Sequence, residues 1–266
     1  MPEIINAPDF DLAATLLCGQ AFRWTRGEDG WFTGIVDGRV WRLRQTGHLL
    51  EFTGVSAERL CTYLALDRSL VEIAATFPDD APLRAAVQAH WGLRVLRQEP
   101  WETLASFIAS STKQIVQIRQ IVDLLATYYG DAGAFPGVDV IARASLPDLL
   151  ACKLGFRAKH LLAAAQAIDA GRVRLYDLPG MEYDRAMEEL LKLNGVGEKI
   201  ANCTLLFGCG FDEAFPVDVW VKRALVRLGI KSPTHFGPYA GWAQQYLFFS
   251  ERTRGRQPAL NRNAKR

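Results

Sequence analysis

The 266-residue chain is 49% hydrophobic and 23% charged, and its formal net charge is only +2. These values fit a globular protein of one large or two modest domains and exclude a disordered or strongly polyionic chain. No apolar run approaches the roughly 18 residues of a membrane span. The opening MPEIINAPDFDL lacks the basic-then-apolar order of a secretory signal. A cytoplasmic protein without a membrane partner is therefore expected. The five cysteines, Cys18, Cys61, Cys152, Cys203 and Cys209, are scattered and odd in number, as free thiols in a reducing compartment are. Neither a Cys-x2-Cys pair nor a His-x3-His pair occurs, which argues against an iron–sulfur loop and a zinc site.

In chain order, residues 22–25, 31–36, 39–45 and 49–52 alternate like short antiparallel strands, with Asp37-Gly38 as a hairpin signal. From Ala57 the period becomes helical, with Leu60, Tyr63 and Leu64 on one face, and residues 82–91 predict a further helix. The remainder predicts helices over 103–110, 114–129, 146–153, 158–170, 185–191, 199–207, 219–228 and 239–249. Pro136, Pro147, Pro179, Pro216 and Pro238 fall between them or at their starts, where proline is tolerated. The expectation is an α+β protein: an antiparallel sheet domain over 1–95, a helical body over 96–250 and a basic tail over 251–266. That tail holds Arg252, Arg254, Arg256, Arg262, Lys265 and Arg266 without an acidic residue after Glu251. It reads either as an arm that follows a phosphate backbone or as a solvated terminus.

Residues 193–219, LNGVGEKIANCTLLFGCGFDEAFPVDV, are the most informative stretch. Gly195-Val196-Gly197 lies between two apolar helical patterns, which makes a helix–hairpin–helix. Glycines permit the tight turn, and the outward helix N-terminus offers N–H groups to a phosphate. Lys199 falls in the first turn of the second helix, where the dipole disfavours a positive charge; a neutral amine is a nucleophile. Asp218, after Pro216-Val217 and before an apolar helix, reads as that helix's N-cap.

This stretch resembles the helix–hairpin–helix DNA glycosylases, with LNGVGEKIANC matching the hairpin and lysine of their bifunctional members and Val217-Asp218 the end of their Gly-Pro-Asp loop. Cys18-Gly19-Gln20-Ala21-Phe22-Arg23-Trp24 is similar to the N-terminal segment of the 8-oxoguanine DNA glycosylases, and residues 236–244, FGPYAGWAQ, to their C-terminal segment. The resemblance implies a bifunctional enzyme acting on duplex DNA that contains a damaged guanine. Lys199 would attack C1′, Asp218 would stabilise the developing positive charge, and a Schiff base would permit strand nicking. Cys203 and Phe248 would sandwich the flipped base, Gln244 would bond its Watson–Crick edge, and the Gly19 carbonyl would accept from N7–H. That proton distinguishes 8-oxoguanine from guanine. The carbonyls of Leu191, Leu193 and Val196 would hold a monovalent cation shared with a DNA phosphate. No other cofactor is implied, and a monomer associated with the nucleoid is expected.

The resemblance departs from the animal and fungal pattern at the residues that face the orphaned cytosine. Thr112 stands at an Asn position and Gln117 at an Arg position, in Ser110-Ser111-Thr112-Lys113-Gln114-Ile115-Val116-Gln117. Arg157 matches the remaining Arg, Phe156 replaces a wedge tyrosine, and Trp220 replaces a histidine near the 5′ phosphate. A prokaryotic-type branch with relaxed opposite-base specificity is expected. Among rivals, the adenine and thymine-glycol enzymes carry iron–sulfur cysteines, and alkylated-base enzymes lack the hairpin lysine. A non-catalytic hairpin module would not need Lys199 and Asp218 together.

Overall fold

The computed structural model describes residues 2–230 and 232–255. Five strands, β1 (Glu3–Asn6), β2 (Trp24–Arg26), β3 (Phe32–Val36), β4 (Arg39–Thr46) and β5 (Leu49–Thr53), form an antiparallel sheet in the order β1-β5-β4-β3-β2. The β3–β4 hairpin turns at Asp37 and Gly38, both with positive φ (51° and 70°), the backbone that a two-residue type I′ turn requires. Register pairs Phe32 with Leu43 and Gly34 with Trp41, so alternate residues share one face. Trp24, Phe32, Trp41, Leu43, Leu50 and Phe52 on that face are buried. They pack with Leu12 and Leu16 of α1 (Leu12–Leu17) and Leu60 and Tyr63 of α2 (Ala57–Tyr63). Strand β1 and helix α1 have no counterpart in the sequence reading. Three of the four β1 residues are exposed, so no apolar alternation announces a strand formed only by pairing with β5.

Two short helices follow, α3 (Leu70–Ala75) and α4 (Ala81–Ala89), before the helical body. The body comprises α5 (Pro100–Ser110), α6 (Ile115–Tyr129), α7 (Val138–Ala142), α8 (Leu146–Ala151), α9 (Arg157–Asp169), α10 (Tyr183–Leu191), α11 (Glu198–Thr204), α12 (Val219–Leu228) and α13 (Ala240–Arg254). Helix α5 starts where its caps dictate: Glu99 accepts from the Glu102 N–H at 2.6 Å and Pro100 fills the first turn. It is buried almost all round, from Trp101 to Ser110, and forms the centre of the helical core. Helix α11 runs straight into a π-turn over Leu205–Cys209.

A third buried cluster joins the two ends of the chain. Ala14, Cys18, Leu83, Ala86 and Leu93 pack against Val221 and Ala224 of α12 and Ala243, Tyr246 and Leu247 of α13. Helix α13 extends to Arg254, past the sequence-expected end at residue 249. Arg252, read in the sequence as part of a loose basic tail, is instead 9% exposed and donates to the carbonyls of Cys18 at 2.8 Å and Leu17 at 3.0 Å. Residues 256–266 of that tail lie outside the described residues.

Candidate active site

A cavity of about 710 Å³ opens between the segment after α1, the C-terminal end of α5, α11, the start of α12 and α13. Lys199, Asp218, Gly19, Cys203, Gln244 and Phe248 all line it. Six positions picked from widely separated parts of the sequence therefore share one space.

Lys199 enters it from the first turn of α11. Gly195 turns the preceding hairpin at φ +85°, and a Cβ there would lie 2.4 Å from His160. Only glycine permits that close approach. Gly197 caps α11 with extended backbone, and a Cβ there would meet nothing within 4 Å, so this side of the hairpin is open. Val196 donates its N–H to the Leu193 carbonyl at 3.0 Å, closing the turn. That carbonyl keeps a second lone pair. Leu193 and Val196 are buried, whereas Leu191 is 42% exposed and borders a neighbouring cavity.

Within the main cavity the Lys199 ammonium donates to Ser110 Oγ at 3.3 Å and lies 4.7 Å from the centre of the Phe107 ring. Phe107 is fixed by an edge contact from Phe22 and by stacking on Phe207. None of these four residues was assigned a role from the sequence. Ser110 and Phe107 carry no pattern of their own, and an apolar helix hides an aromatic ring that faces a cation.

Asp218 is the N-cap of α12. Its Oδ1 accepts from the N–H groups of Trp220 and Val221, both at 2.9 Å. The loop before it is tied to α11 by Asn202, which is 9% exposed. Asn202 Oδ1 accepts from the Tyr183 hydroxyl of α10 and from the Phe215 N–H, both at 2.8 Å, and its Nδ2 donates to the Glu198 carbonyl at 2.9 Å. One side chain, three residues after Lys199, thereby links the lysine's helix, its hairpin partner and the aspartate's loop.

Cys203, one turn beyond Lys199 on α11, is 2% exposed. Burial pushes its thiol up to about 11; Lys199 pulls it down and Asp218 pushes it up less strongly. The group is a neutral thiol at neutral pH and presents an uncharged surface to the cavity. Gly19 has φ +98°, and a Cβ there would press on Ile115 at 2.9 Å and Arg252 at 3.0 Å and reach Phe248 at 3.7 Å. Gln244 is 3% exposed, and its Oε1 has no hydrogen-bond partner.

Thr112, Lys113 and Trp220 line the mouth of the same cavity; Gln117, Phe156, Arg157, Gly195, Val196 and Gly197 do not. Gln117 is exposed, and its Oε1 accepts from the Gln114 N–H at 3.0 Å to cap α6. Phe156 projects from the surface, 60% exposed. Arg157 behind it is 3% exposed and turned inward. It donates to the Ser111 carbonyl, to Thr112 Oγ1 at 2.5 Å and to the Leu154 carbonyl at 3.2 Å. Trp220 is half-buried under the Arg223 guanidinium, 4.9 Å away.

Residues 4–104 match the family described as 8-oxoguanine DNA glycosylase, N-terminal domain. The N-glycosylase/DNA lyase OGG1 of Arabidopsis thaliana is 28% identical over 290 residues, spanning 94% of this chain and 80% of that protein. A solved structure of MBOgg1 with a low affinity DNA ligand superposes with a TM-score of 0.89 at 32% identity, covering 96% of this chain and 99% of that one. The Clostridium acetobutylicum 8-oxoguanine glycosylase/lyase, solved with double-stranded DNA containing cytosine opposite 8-oxoguanine, gives a TM-score of 0.88 at 30% identity, covering 96% and 98%. Identity at this level over nearly the whole of both chains shows common descent, so the chain belongs to the 8-oxoguanine DNA glycosylase family of DNA-repair N-glycosylase/DNA lyases.

Proposed function

We propose that the protein excises 8-oxoguanine from duplex DNA and nicks the strand, with Lys199 as nucleophile and Asp218 as the charge-stabilising carboxylate. The observation that carries this reading is the convergence of Lys199, Asp218, Gly19, Cys203, Gln244 and Phe248 on one cavity. A neutral Lys199 amine bonds C1′ while the C1′–N9 electron pair leaves on the base, which takes up a proton. The sugar carries positive charge as this occurs, and the Asp218 carboxylate opposes it. The amine adduct opens the sugar to a protonated imine. Loss of a C2′ proton then expels the 3′ phosphate with the C3′–O electron pair.

A flipped base is read on both faces and on its edges. Cys203 and Phe248 take the faces, Gln244 the Watson–Crick edge, and the Gly19 carbonyl N7–H. Guanine has a lone pair at N7, so the same carbonyl repels it, a difference of roughly 1–3 kcal/mol. Phe156 fills the gap that the extruded nucleotide leaves. Lys113, Trp220 and the hairpin of Gly195, Val196 and Gly197 approach the backbone. In this reading the carbonyls of Leu191, Leu193 and Val196 would hold a monovalent cation, which would neutralise a phosphate there. The enzyme acts as a cytoplasmic monomer and takes no further cofactor.

Borohydride trapping on a duplex with one 8-oxoguanine tests the assignment. A covalent adduct is expected with the native chain and not with Lys199→Gln. Base release without an adduct would make water the nucleophile.

The opposite strand is read weakly. Thr112 and Gln117 do not supply the contacts of an Asn and an Arg, and Arg157 donates to Ser111 and Thr112 instead. This supports the prokaryotic-type branch over the animal type. Excision rates with each of the four opposite bases are expected to lie within about a hundredfold, the scale of one bidentate base contact. A larger preference for cytosine would sink the expectation.

A further inference from the structure

Helix α13 brings two adjacent glutamines to the cavity wall. Gln244 already has a role in the reading above. Gln245 has none, yet it is 2% exposed, and its amide nitrogen is buried with no oxygen or nitrogen acceptor in reach. The neighbouring polar group is the Cys18 thiol, a hydrogen-bonding neighbour of the Gln245 amide that is already engaged in both directions. It donates to the Thr15 carbonyl at 3.2 Å and accepts from Gln20 Nε2 at 3.2 Å. A buried amide nitrogen has two N–H groups to satisfy; the thiol can meet one at most, and leaving the other unmet is rare in folded proteins. Such a group on a ligand cavity is a donor held ready for a ligand.

We propose that Gln245 is a second base reader, donating its amide N–H to O6 of the extruded lesion. The proposal rests on the reading of this cavity as an 8-oxoguanine pocket. The position of Gln245 selects the acceptor. It adjoins Gln244 in the chain and Cys18-Gly19 in space. On the purine, O6 lies between the Watson–Crick N1, assigned to Gln244, and N7, assigned to the Gly19 carbonyl. O8 lies on the far side of N7. A donor held between those two contacts therefore meets O6.

The division of labour has a chemical consequence. The Gly19 carbonyl separates oxidised from intact purine through N7–H. The Gln245 amide separates guanine lesions from adenine lesions. Guanine carries an acceptor at position 6, whereas adenine carries an amino group, and two donors facing each other repel. Sites built around a buried hydrogen bond reject the analogue that cannot make it.

Single-turnover base release on duplexes with 8-oxoguanine and 8-oxoadenine tests this, because the second lesion keeps N7–H and O8 but replaces O6. The native chain is expected to prefer 8-oxoguanine. Gln245→Met, similar in length and without donors, is expected to slow 8-oxoguanine release about ten- to hundredfold, the scale of one buried hydrogen bond. Release of 8-oxoadenine stays within about threefold, so the preference narrows. Gln245→Glu, an acceptor at the same length, moves the preference toward 8-oxoadenine and carries the test where the methionine variant does not fold. Equilibrium binding of both duplexes in a Lys199→Gln background reads the same preference without chemistry. Equal slowing of both lesions, or of neither, by Gln245→Met overturns the role of Gln245 while the pocket reading stands. A native chain that releases and binds neither lesion overturns both.

Discussion

At the scale of the residue, Asp218 has two jobs that are separable by one substitution. Its Oδ1 caps α12 through two backbone N–H groups, and in the proposed reaction its charge would face the reacting sugar. Asparagine caps a helix as well as aspartate does but carries no charge. Asp218→Asn is therefore expected to melt within a few degrees of the native chain while base release falls by about 10²–10³, the scale of one preorganised electrostatic partner. A variant that loses stability and activity together would make the cap, not the charge, the reason for this residue. Both the Asp218 cap and the place of Lys199 in the first turn of α11 were legible in the sequence, because each depends on neighbours only a few positions away. Phe107, Ser110 and Gln245 were not, since their contacts with Lys199 and the cavity join residues far apart in the chain.

At the scale of the element, the helix–hairpin–helix does more than present a lysine. Asn202 holds α10, α11 and the loop before Asp218 at fixed spacing. Asn202→Ala is expected to lower the saturating single-turnover rate about ten- to hundredfold through misplacement of the reacting groups, with affinity for an abasic-site duplex nearly unchanged. Asn202→Asp keeps the acceptor for Tyr183 and Phe215 and is expected to recover part of the rate. Equal losses in rate and affinity, with no recovery by aspartate, would reduce Asn202 to a folding residue. In the sequence this asparagine reads as one polar position in an apolar helix. The strands and most long helices were legible from their periods. Strand β1 was not, because its only apolar partner surface comes from β5, more than forty residues away.

At the scale of the whole molecule, the sheet, the helical body and helix α13 close on each other. Arg23, beside β2, pairs with Glu102 of α5 at 3.5 Å. Burial raises the Glu102 carboxyl to about 7 from its ordinary 4.5, more strongly than Arg23 lowers it. Between those two values the folded chain holds a proton that the unfolded chain has released. Stability contributed by this group is thus present below about 4.5 and lost as pH rises through about 7. Glu102→Gln, neutral throughout, is expected to flatten that slope. Thermal melts at about pH 5 and pH 8 should show the native chain losing about 1 kcal/mol relative to the variant, a value discounted for the 29% exposure of the Glu102 side chain. Parallel pH profiles would rule this out.

Thr112 holds φ +59°, a left-handed backbone that a β-branched residue occupies at a penalty and that asparagine tolerates far better. The loop geometry for an amide at the mouth of the cavity is therefore already built, although the amide is missing. Thr112→Asn is thus expected to relax the backbone, while Gln117 and the inward-turned Arg157 would still withhold their contacts. The proposed lax reading of the opposite strand would then come from the side chains at Thr112 and Gln117 and not from the backbone of this loop.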